Sequence, residues 1–229
     1  MIRHESLLRT GKKAAPPADH FTAMAAKKLF ADDPSPVPKE YARVMYLQST
    51  GTQYIDTGLK FNGNYSYEVD CELDNEDGNQ MFGMKYWYDH CIYVWGNKCY
   101  AKGGQYSPSQ NGYDTGLTGG TRAVFDFSRT DKSLDITVGS VKTSYTFSVF
   151  SPTASNYHLV LFACWTSWSG SLSDYGKGKI YGFRYYIDDE LVMELVPCIR
   201  RSDSKPGMYD LVSGSFLTNM GTGEFIAAS

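Results

Sequence analysis

The stretch from Lys179 to Phe225 constrains the fold more than any other part of the chain. Residues 180–185 read Ile-Tyr-Gly-Phe-Arg-Tyr, an alternation typical of a strand, in which successive side chains point to opposite faces. The Asp188–Asp189 pair then predicts a turn. Residues 191–197 predict a second apolar strand, which ends at a proline. Short strands joined by turns in this way favour an all-β sandwich or barrel.

Two further stretches predict core strands. Residues 65–73 alternate cleanly between apolar and polar side chains, so one face should pack inward while the other is solvated or lines a concave surface. Residues 158–163, which read His-Leu-Val-Leu-Phe-Ala, form a continuous apolar run. Such a run predicts a central strand that is covered on both faces.

The C-terminal stretch also carries a resemblance to a known family. Its pattern is KIYGFRYY…DDELVMELVPC…RSDSKPGMYDLVSGSFLTNMGTGEF, and the matching front end, Tyr46 to Gly58, reads YLQSTGTQYIDTG. From Tyr41 to Phe225 the chain resembles the laminin-G-like, concanavalin-A-like jelly-roll domains of phage and prophage proteins and of gut-bacterial surface proteins. The resemblance implies an all-β fold, an antiparallel jelly-roll β-sandwich. It leaves the function open, because one fold serves many functions.

The sequence divides into residues 1–40 and residues 41–229. We expect the second part to be one jelly-roll domain, because a chain of roughly 150–200 residues can bury a single good core. We expect the first part to be a short helical arm followed by a proline-rich linker. Three prolines between residues 34 and 38 predict that the linker is stiff.

The helix of the arm is predicted from its cap and its apolar face. Asp19 is a favourable N-cap, and Phe21, Met24 and Leu29 then fall near one face at helical spacing. A helix this short is marginal alone in water. We therefore interpret it as an assembly arm that docks on a symmetry mate or a larger particle and makes the protein a homo-oligomer. A frayed tail is the alternative.

Charge and hydropathy exclude several classes of partner. The formal net charge is −3, so no basic surface argues for nucleic acid. No run of about 18 apolar residues predicts a membrane span, and no signal peptide is visible. We expect the protein to be made in a host cytoplasm and to become part of a virion. The bacterial cell surface is the alternative location.

The five cysteines are an odd number, so at least one thiol is unpaired within the chain. Three of them sit in apolar runs and resemble small buried hydrophobic residues. The other two, Cys91 and Cys99, flank a predicted Gly96–Asn97 hairpin turn that would place Val94 opposite Cys99. We expect all five thiols to be reduced.

One acidic stretch invites a catalytic interpretation. Glu72, Asp74 and Glu76 are spaced like the E-x-D-x-E strand of jelly-roll endoglucanases that resemble the laminarinases, in which two carboxyls about 5–5.5 Å apart support retaining hydrolysis. Two features weaken this match. Asn75 replaces an apolar residue of that motif, and the stretch runs into a turn at residues 77–78. A glycoside hydrolase therefore stands as an alternative function.

The same turn is a weak candidate for calcium, which prefers several oxygen ligands. The candidate ligands are Asp74, Glu76, Asp77 and Asn79, whose order does not match an EF-hand loop. Laminin-G-like domains often carry calcium at a loop rim, so the resemblance favours this site, while a plain acidic turn is the simpler interpretation. We expect no other cofactor, because the four histidines are far apart and no cysteine stands at zinc-finger spacing.

Aromatic loops are the best candidates for binding. Residues 85–90 place three aromatic side chains in one turn, and a second aromatic segment follows the apolar run of residues 158–163. Sugars stack on Trp and Tyr rings while short polar side chains bond their hydroxyls. The predicted glycan contacts are Trp87, Tyr88, Asp89, His90, Trp168 and Tyr175. We expect Trp165, by contrast, to pack in the core. β-propensity alone is the alternative explanation of the many tyrosines.

These observations together predict a non-enzymatic binding head on a phage or prophage particle, in a fibre, tail or capsid decoration. Its predicted partners are a bacterial surface carbohydrate and other virion proteins, the latter through the arm. A purely structural decoration protein, oligomerised through its arm, is the second possibility, and a laminarinase-like glycoside hydrolase is the third.

Overall fold

The computed structural model describes residues 37–60, 65–76, 78–85, 89–105, 113–146, 157–166 and 170–228. Every regular element in these ranges is a β-strand, which confirms the predicted all-β class. The predicted helix of the arm, with Phe21, Met24 and Leu29, lies outside the described residues. The described part contains no helix that is long and apolar enough to cross a membrane.

The strands are numbered in chain order. They are β1 (Tyr41–Arg43), β2 (Tyr46–Thr50), β3 (Ile55–Lys60), β4 (Tyr65–Leu73), β5 (Gln80–Lys85), β6 (Asp89–Trp95), β7 (Lys98–Gln105), β8 (Tyr113–Asp114), β9 (Arg122–Ser128), β10 (Ser133–Val138), β11 (Val141–Thr146), β12 (His158–Leu161), β13 (Cys164–Thr166), β14 (Ser171–Ser173), β15 (Lys177–Ile187), β16 (Glu190–Arg200), β17 (Lys205–Asp210), β18 (Phe216–Thr218) and β19 (Ile226–Ala228).

The described strands form two sheets. Sheet A has the order β11-β10-β9-β4-β15-β16-β17-β18, with β2 also paired to β15, β19 to β2, and β1 to β16. Sheet B has the order β14-β13-β5-β6-β7-β8, with β12 paired to both β3 and β5. Strands β5 and β13 run parallel, whereas the other pairs among the described residues are antiparallel. In sheet A, β15 is hydrogen-bonded to β2, β4 and β16 and therefore lies at the centre of the sheet.

The two sheets pack face to face through aromatic side chains. Phe82 of sheet B lies against Tyr67 and Phe183 of sheet A, with ring centroids 4.7 and 6.0 Å apart. All three residues belong to one buried apolar cluster that also holds the inward side chains of β4, as its alternation predicts. This packing is that of a β-sandwich.

Three local expectations are confirmed. The apolar run after His158 forms β12, whose residues 159–161 are buried between β3 and β5. The hairpin between β6 and β7 turns at Gly96 and Asn97, both with positive φ, and places Val94 opposite Cys99. All five cysteines are free and buried.

The two ends of the sequence resemblance meet in space. Strand β19 pairs with β2, and the loops next to them are joined by the side chain of Asn219. Its Oδ1 accepts hydrogen bonds from the backbone N–H groups of Tyr54 at 3.1 Å and Gly221 at 2.8 Å. Its Nδ2 donates to the carbonyl oxygen of Gly223 at 2.8 Å. We call this contact the Asn219 clamp.

The clamp depends on the absence of a side chain at position 221. A β-carbon there would lie 2.1 Å from the carbonyl oxygen of Thr52. We expect Gly221→Ala to lower the free energy of unfolding by about 3 kcal/mol, because the backbone at Thr52 and the backbone at position 221 would have to move apart. Urea denaturation measures this loss. The control is Gly139→Ala, because no atom lies within 4 Å of a β-carbon at that position. The backbone there is left-handed, with φ of +58, so the loss should be about 1–2 kcal/mol from backbone strain alone. Equal losses would contradict the steric argument.

Candidate functional site

The parallel pairing of β5 and β13 brings two of the aromatic segments together. Met84 lies opposite Trp165, and Lys85 lies opposite Thr166. Both strands therefore end at the same edge of sheet B. Because neighbouring strands lie about 4.8 Å apart, the two strand ends are close together. The connections that follow them are residues 86–88 and residues 167–169. We call this end of the sandwich the loop end.

Other described strands also begin or end at the loop end. His158, the first residue of β12, lies opposite Lys60, the last residue of β3. Asp89, the first residue of β6, lies opposite Gln105, the last residue of β7. In sheet A, Thr146, the last residue of β11, lies opposite Ser133, the first residue of β10. Ser133 also lies opposite Ser128 of β9, which in turn lies opposite Ser66 near the start of β4. The strand ends that flank residues 61–64, 86–88, 106–112, 147–156 and 167–169 are therefore gathered at one end of the sandwich.

The composition of these five connections differs from that of the whole chain. None of their 27 residues is Asp, Glu, Lys or Arg, although about six would be expected from the overall charged fraction of 21%. Eight are Phe, Tyr or Trp, and most of the others are Ser, Asn, Gly or Pro. Aromatic rings combined with small polar residues are typical of loop surfaces that bind other molecules.

An aromatic pair lies at the foot of the loop end. The rings of Tyr157 and Trp165 are stacked, with centroids 5.2 Å apart and an interplanar angle of 17°. Trp165 is partly buried and packs against the core, as the sequence predicts, while its Nε1 is buried without a hydrogen-bond partner. Nearby, Nδ1 of His158 lies 3.0 Å from a carboxylate oxygen of Asp56.

The predicted glycan contacts that the structure describes, Asp89, His90 and Tyr175, lie at two ends of sheet B. Asp89 and His90 are the first residues of β6 and belong to the loop end. Trp87, Tyr88 and Trp168 lie outside the described residues, within the connections that leave from that end.

Tyr175 lies at the other end of sheet B. It stands beside Gly176, whose α-carbon packs on the carbonyl of Gln80 at the start of β5. That position is roughly 17 Å along the strand from Lys85. Tyr175 is 39% exposed and contacts Tyr54, with ring centroids 6.0 Å apart. It therefore lies on a different surface from the ends of β5 and β13 at the loop end.

The three carboxylates of the hydrolase-like stretch do not share a strand face, because β4 ends at Leu73. Glu72 accepts hydrogen bonds from Nζ of Lys179 at 2.7 Å and from the Tyr181 hydroxyl at 3.1 Å. Glu76 lies in the turn and pairs with Lys177 at 2.7 Å. Asp74 lies beyond the strand as well, so a pair of facing acids is not formed on β4 by these residues.

Two of the calcium candidates, Asn79 and Glu76, are engaged within the protein. Asn79 accepts a hydrogen bond from the backbone N–H of Lys177 and donates to the carbonyl oxygen of Asp74. Glu76 faces the Lys177 ammonium, which would repel a cation, and Asp77 lies outside the described residues. In the part of the chain that the structure describes, no three His, Cys, Asp or Glu side chains converge as metal ligands.

The outer face of sheet A carries ionic contacts that run along β4. Asp70, which is fully buried, accepts two hydrogen bonds from Arg122, at 2.9 Å to Nε and 2.7 Å to Nη2. The same guanidinium lies 3.6 Å above the ring of Tyr181. Burial, followed by the Glu72 carboxylate, raises the pKa of Tyr181 well above its usual value. The predicted solvated face of β4 is thus largely covered.

A second set of charges crosses the strands of sheet A. Asp135, Asp126, Glu68, Arg184 and Glu194 lie directly opposite one another on β10, β9, β4, β15 and β16. We call these five residues the transverse row. Arg184 is only 2% exposed and donates to Glu68 at 2.9 Å and to Glu194 at 2.8 Å. Lys142 pairs with Asp135 at the far end of the row.

Asp126 stands between two other carboxylates in this row. Its burial, then the negative charges of Glu68 and Asp135, raise the pKa of Asp126 to about 7. The Lys142 ammonium acts in the opposite direction, and Asp131 adds a further small increase. Asp126 therefore holds a proton through much of the range in which an ordinary Asp is ionised.

Sequence reasoning missed the transverse row. It placed Glu68 and Asp70 on one outward face but did not pair them with Arg184 and Arg122, which come from distant strands. A signal was present, because an arginine in the middle of the otherwise apolar and aromatic run of residues 180–185 needs a partner.

No family model matches the chain, and no curated protein matches it. Among solved structures, the chain is similar to one titled the full extracellular region of zebrafish Gpr126/Adgrg6, with 12% sequence identity and a TM-score of 0.44. The similarity covers 83% of this chain and 26% of that one, so the chain spans about a quarter of the length of that receptor region.

The transverse row should make Arg184 essential for stability. We expect Arg184→Met to lower the free energy of unfolding by about 3–5 kcal/mol, because it leaves two poorly hydrated carboxylates without their cation. The control is Arg200→Met, whose pair with Asp203 is exposed and screened by solvent, so its loss should change the stability little. Urea denaturation of both variants at one pH compares them, and similar losses would refute the row as a buried ionic unit.

The raised pKa of Asp126 predicts a pH-dependent stability. Since folding raises this pKa from 3.8 to about 7, the folded state binds the proton more tightly than the unfolded state. The stabilisation is complete below pH 4 and is lost as pH rises through 7. Between pH 4 and pH 8 we expect a loss of about 2–4 kcal/mol at this site.

Asp126→Asn should remove this dependence. The free energy of unfolding of the wild-type chain and of this variant, measured at several values between pH 4.5 and pH 8, should be most similar at the lowest pH, separate progressively as the pH rises towards 7, and differ by a constant amount above it. The matched control Asp189→Asn, in the exposed turn between β15 and β16, should follow the wild type. A constant difference between wild type and Asp126→Asn would show that Asp126 does not titrate in this range.

Proposed function

We propose that this chain is a non-enzymatic binding head that recognises a bacterial surface glycan through its loop end. The observation that carries the proposal is the parallel pairing of β5 with β13. Because β5 and β13 are neighbours, the two connections that contain a tryptophan, residues 86–88 and 167–169, begin on neighbouring strands. Binding sites are commonly formed by loops that a rigid scaffold holds together.

The chemistry of the loop end favours a neutral, hydroxyl-rich partner. Aromatic rings stack on the C–H faces of sugars, and serine and asparagine side chains exchange hydrogen bonds with hydroxyl groups. The absence of charged residues from the five connections means that no ion pair is available there. The stacked pair of Tyr157 and Trp165 supplies a further aromatic surface at the base of these connections.

The biological setting comes from the sequence resemblance to laminin-G-like, concanavalin-A-like jelly-roll domains of phage and gut-bacterial surface proteins. In that setting the head belongs to a virion fibre, tail or capsid decoration, and residues 1–40 connect it to other particle proteins as a homo-oligomer. The chain enters the described domain at Val37, beside β1. Strand β1 pairs with residues 198–200 at the end of β16 that is far from the loop end, which leaves the loop end accessible.

The test is an array of bacterial surface glycans probed with the full chain, followed by calorimetry on any glycan that binds. We expect Trp87→Ala and Trp168→Ala each to weaken binding by about 30-fold, since an aromatic anchor commonly contributes about 2 kcal/mol. Tyr175→Ala is the matched control, because it removes an exposed aromatic ring at the opposite end of β5. That variant should bind like the wild type.

Two outcomes would refute the proposal. An array that stays blank with a folded, oligomeric protein would favour a purely structural decoration. Loss of binding in Tyr175→Ala with no change in the tryptophan variants would move the site to the other end of sheet B. Sizing of the full chain against residues 41–229 shows separately whether the arm assembles the oligomer.

A further inference from the structure

A cleft lies at the end of the sandwich that is opposite the loop end. It has a volume of about 410 Å³ and is formed by the hairpin between β16 and β17 together with the segment that leads into β19. Ligand sites usually fall between about 300 and 1,000 Å³. The hairpin is roughly 30–35 Å along β16 from Glu190, which lies at the loop end. The cleft is therefore a separate surface from the proposed glycan site.

Four of the eight residues that line the cleft are apolar. Ile199 and Pro206 lie opposite each other on β16 and β17 and line the cleft together with Phe225 and Ala227. Phe225 is 4% exposed and packs on Phe162 at 5.1 Å, so it closes the core beneath the floor. The cleft thus offers an apolar surface on a rigid base.

The rim carries one cation and one anion that the protein does not pair. Asp203 is engaged, because both of its oxygens accept hydrogen bonds from Arg200, at 3.0 and 2.6 Å. In the described part of the chain, the Lys205 ammonium and the Glu224 carboxylate make no ion pair or hydrogen bond, and both residues line the cleft. They come from different segments, β17 and the loop before β19, so they can face two ends of one ligand.

We propose that this cleft binds a small zwitterion with an apolar body, namely an apolar amino acid or a short apolar peptide with free ends. The ligand carboxylate pairs with Lys205, the ligand ammonium pairs with Glu224, and the apolar side chains cover Ile199 and Pro206. Opposite charges among the residues that line a partly apolar cleft favour such a ligand over a neutral sugar, which needs neither charge. This inference does not depend on the proposed glycan function.

The experiment uses the full chain labelled with nitrogen-15 and follows amide signals during titration. The probes are L-leucine, Leu-Leu and Leu-Leu-Leu, whose terminal charges are progressively further apart. We expect saturable shifts at Lys205 and Phe225, strongest for the length that matches the separation of the two rim charges. Glucose at the same concentrations should cause no such shifts.

Capped peptides assign each charge to its partner. N-acetylation removes the ligand ammonium and C-terminal amidation removes the ligand carboxylate, and each change should weaken binding at least tenfold. Glu224→Gln should weaken the free peptide but leave the acetylated peptide unchanged, while Lys205→Met should weaken the free peptide but leave the amidated peptide unchanged. Lys60→Met and Glu190→Gln, exposed residues at the loop end, should bind like the wild type.

Several results would overturn the proposal. These are the absence of shifts with all three probes, equal binding of free and capped peptides, and shifts confined to the loop end. Loss of binding in both variants that is independent of the caps would also refute the pairing. Each variant changes an exposed or half-exposed side chain, and its amide spectrum reports directly whether the fold is kept.

Discussion

The buried ionic contact of Arg184 fixes the arrangement of sheet A. A guanidinium that is 2% exposed must be paired within the protein, and its partners, Glu68 and Glu194, come from the strands on either side of β15. A shift of one residue in either pairing would turn Arg184 or its partner towards the aromatic core. The contact therefore selects one register for three neighbouring strands and, through β4, for the strands beyond them.

Local periodicity predicted the strands but not their neighbours. The alternation of residues 65–73 and the apolar run of residues 158–163 identified buried faces correctly, because side-chain direction follows from the period of a strand. The pairing of β13 with β5 could not be predicted in this way, since it joins segments that are distant in sequence and it runs parallel within an otherwise antiparallel sheet. For the same reason Tyr175 was grouped with Trp168, although the strand between them carries it to the other end of the sheet.

Charge on the outer face was misjudged for a different reason. Acidic residues that alternate along a strand usually point to water, and the sequence gives no sign of how much a twisted sheet and its long side chains cover them. In the structure Arg122 and Arg184 neutralise Asp70 and Glu68, and Asp126, which stands between Glu68 and Asp135, has a raised pKa because of its burial and of these two negative charges. The face is thus a structural ionic layer, whereas the sequences of the five connections at the loop end contain no charged residue.

The Asn219 clamp has a consequence for how the protein is made. Strand β2, near the start of the domain, is completed by β19, which is synthesised much later than β2. Contacts between such distant segments form slowly, because a long loop must be closed first. This edge of β2 stays open until β19 has been synthesised, and an open edge is prone to pair with other chains. A cell that produces this protein at high level must therefore protect chains that still lack β19 from one another.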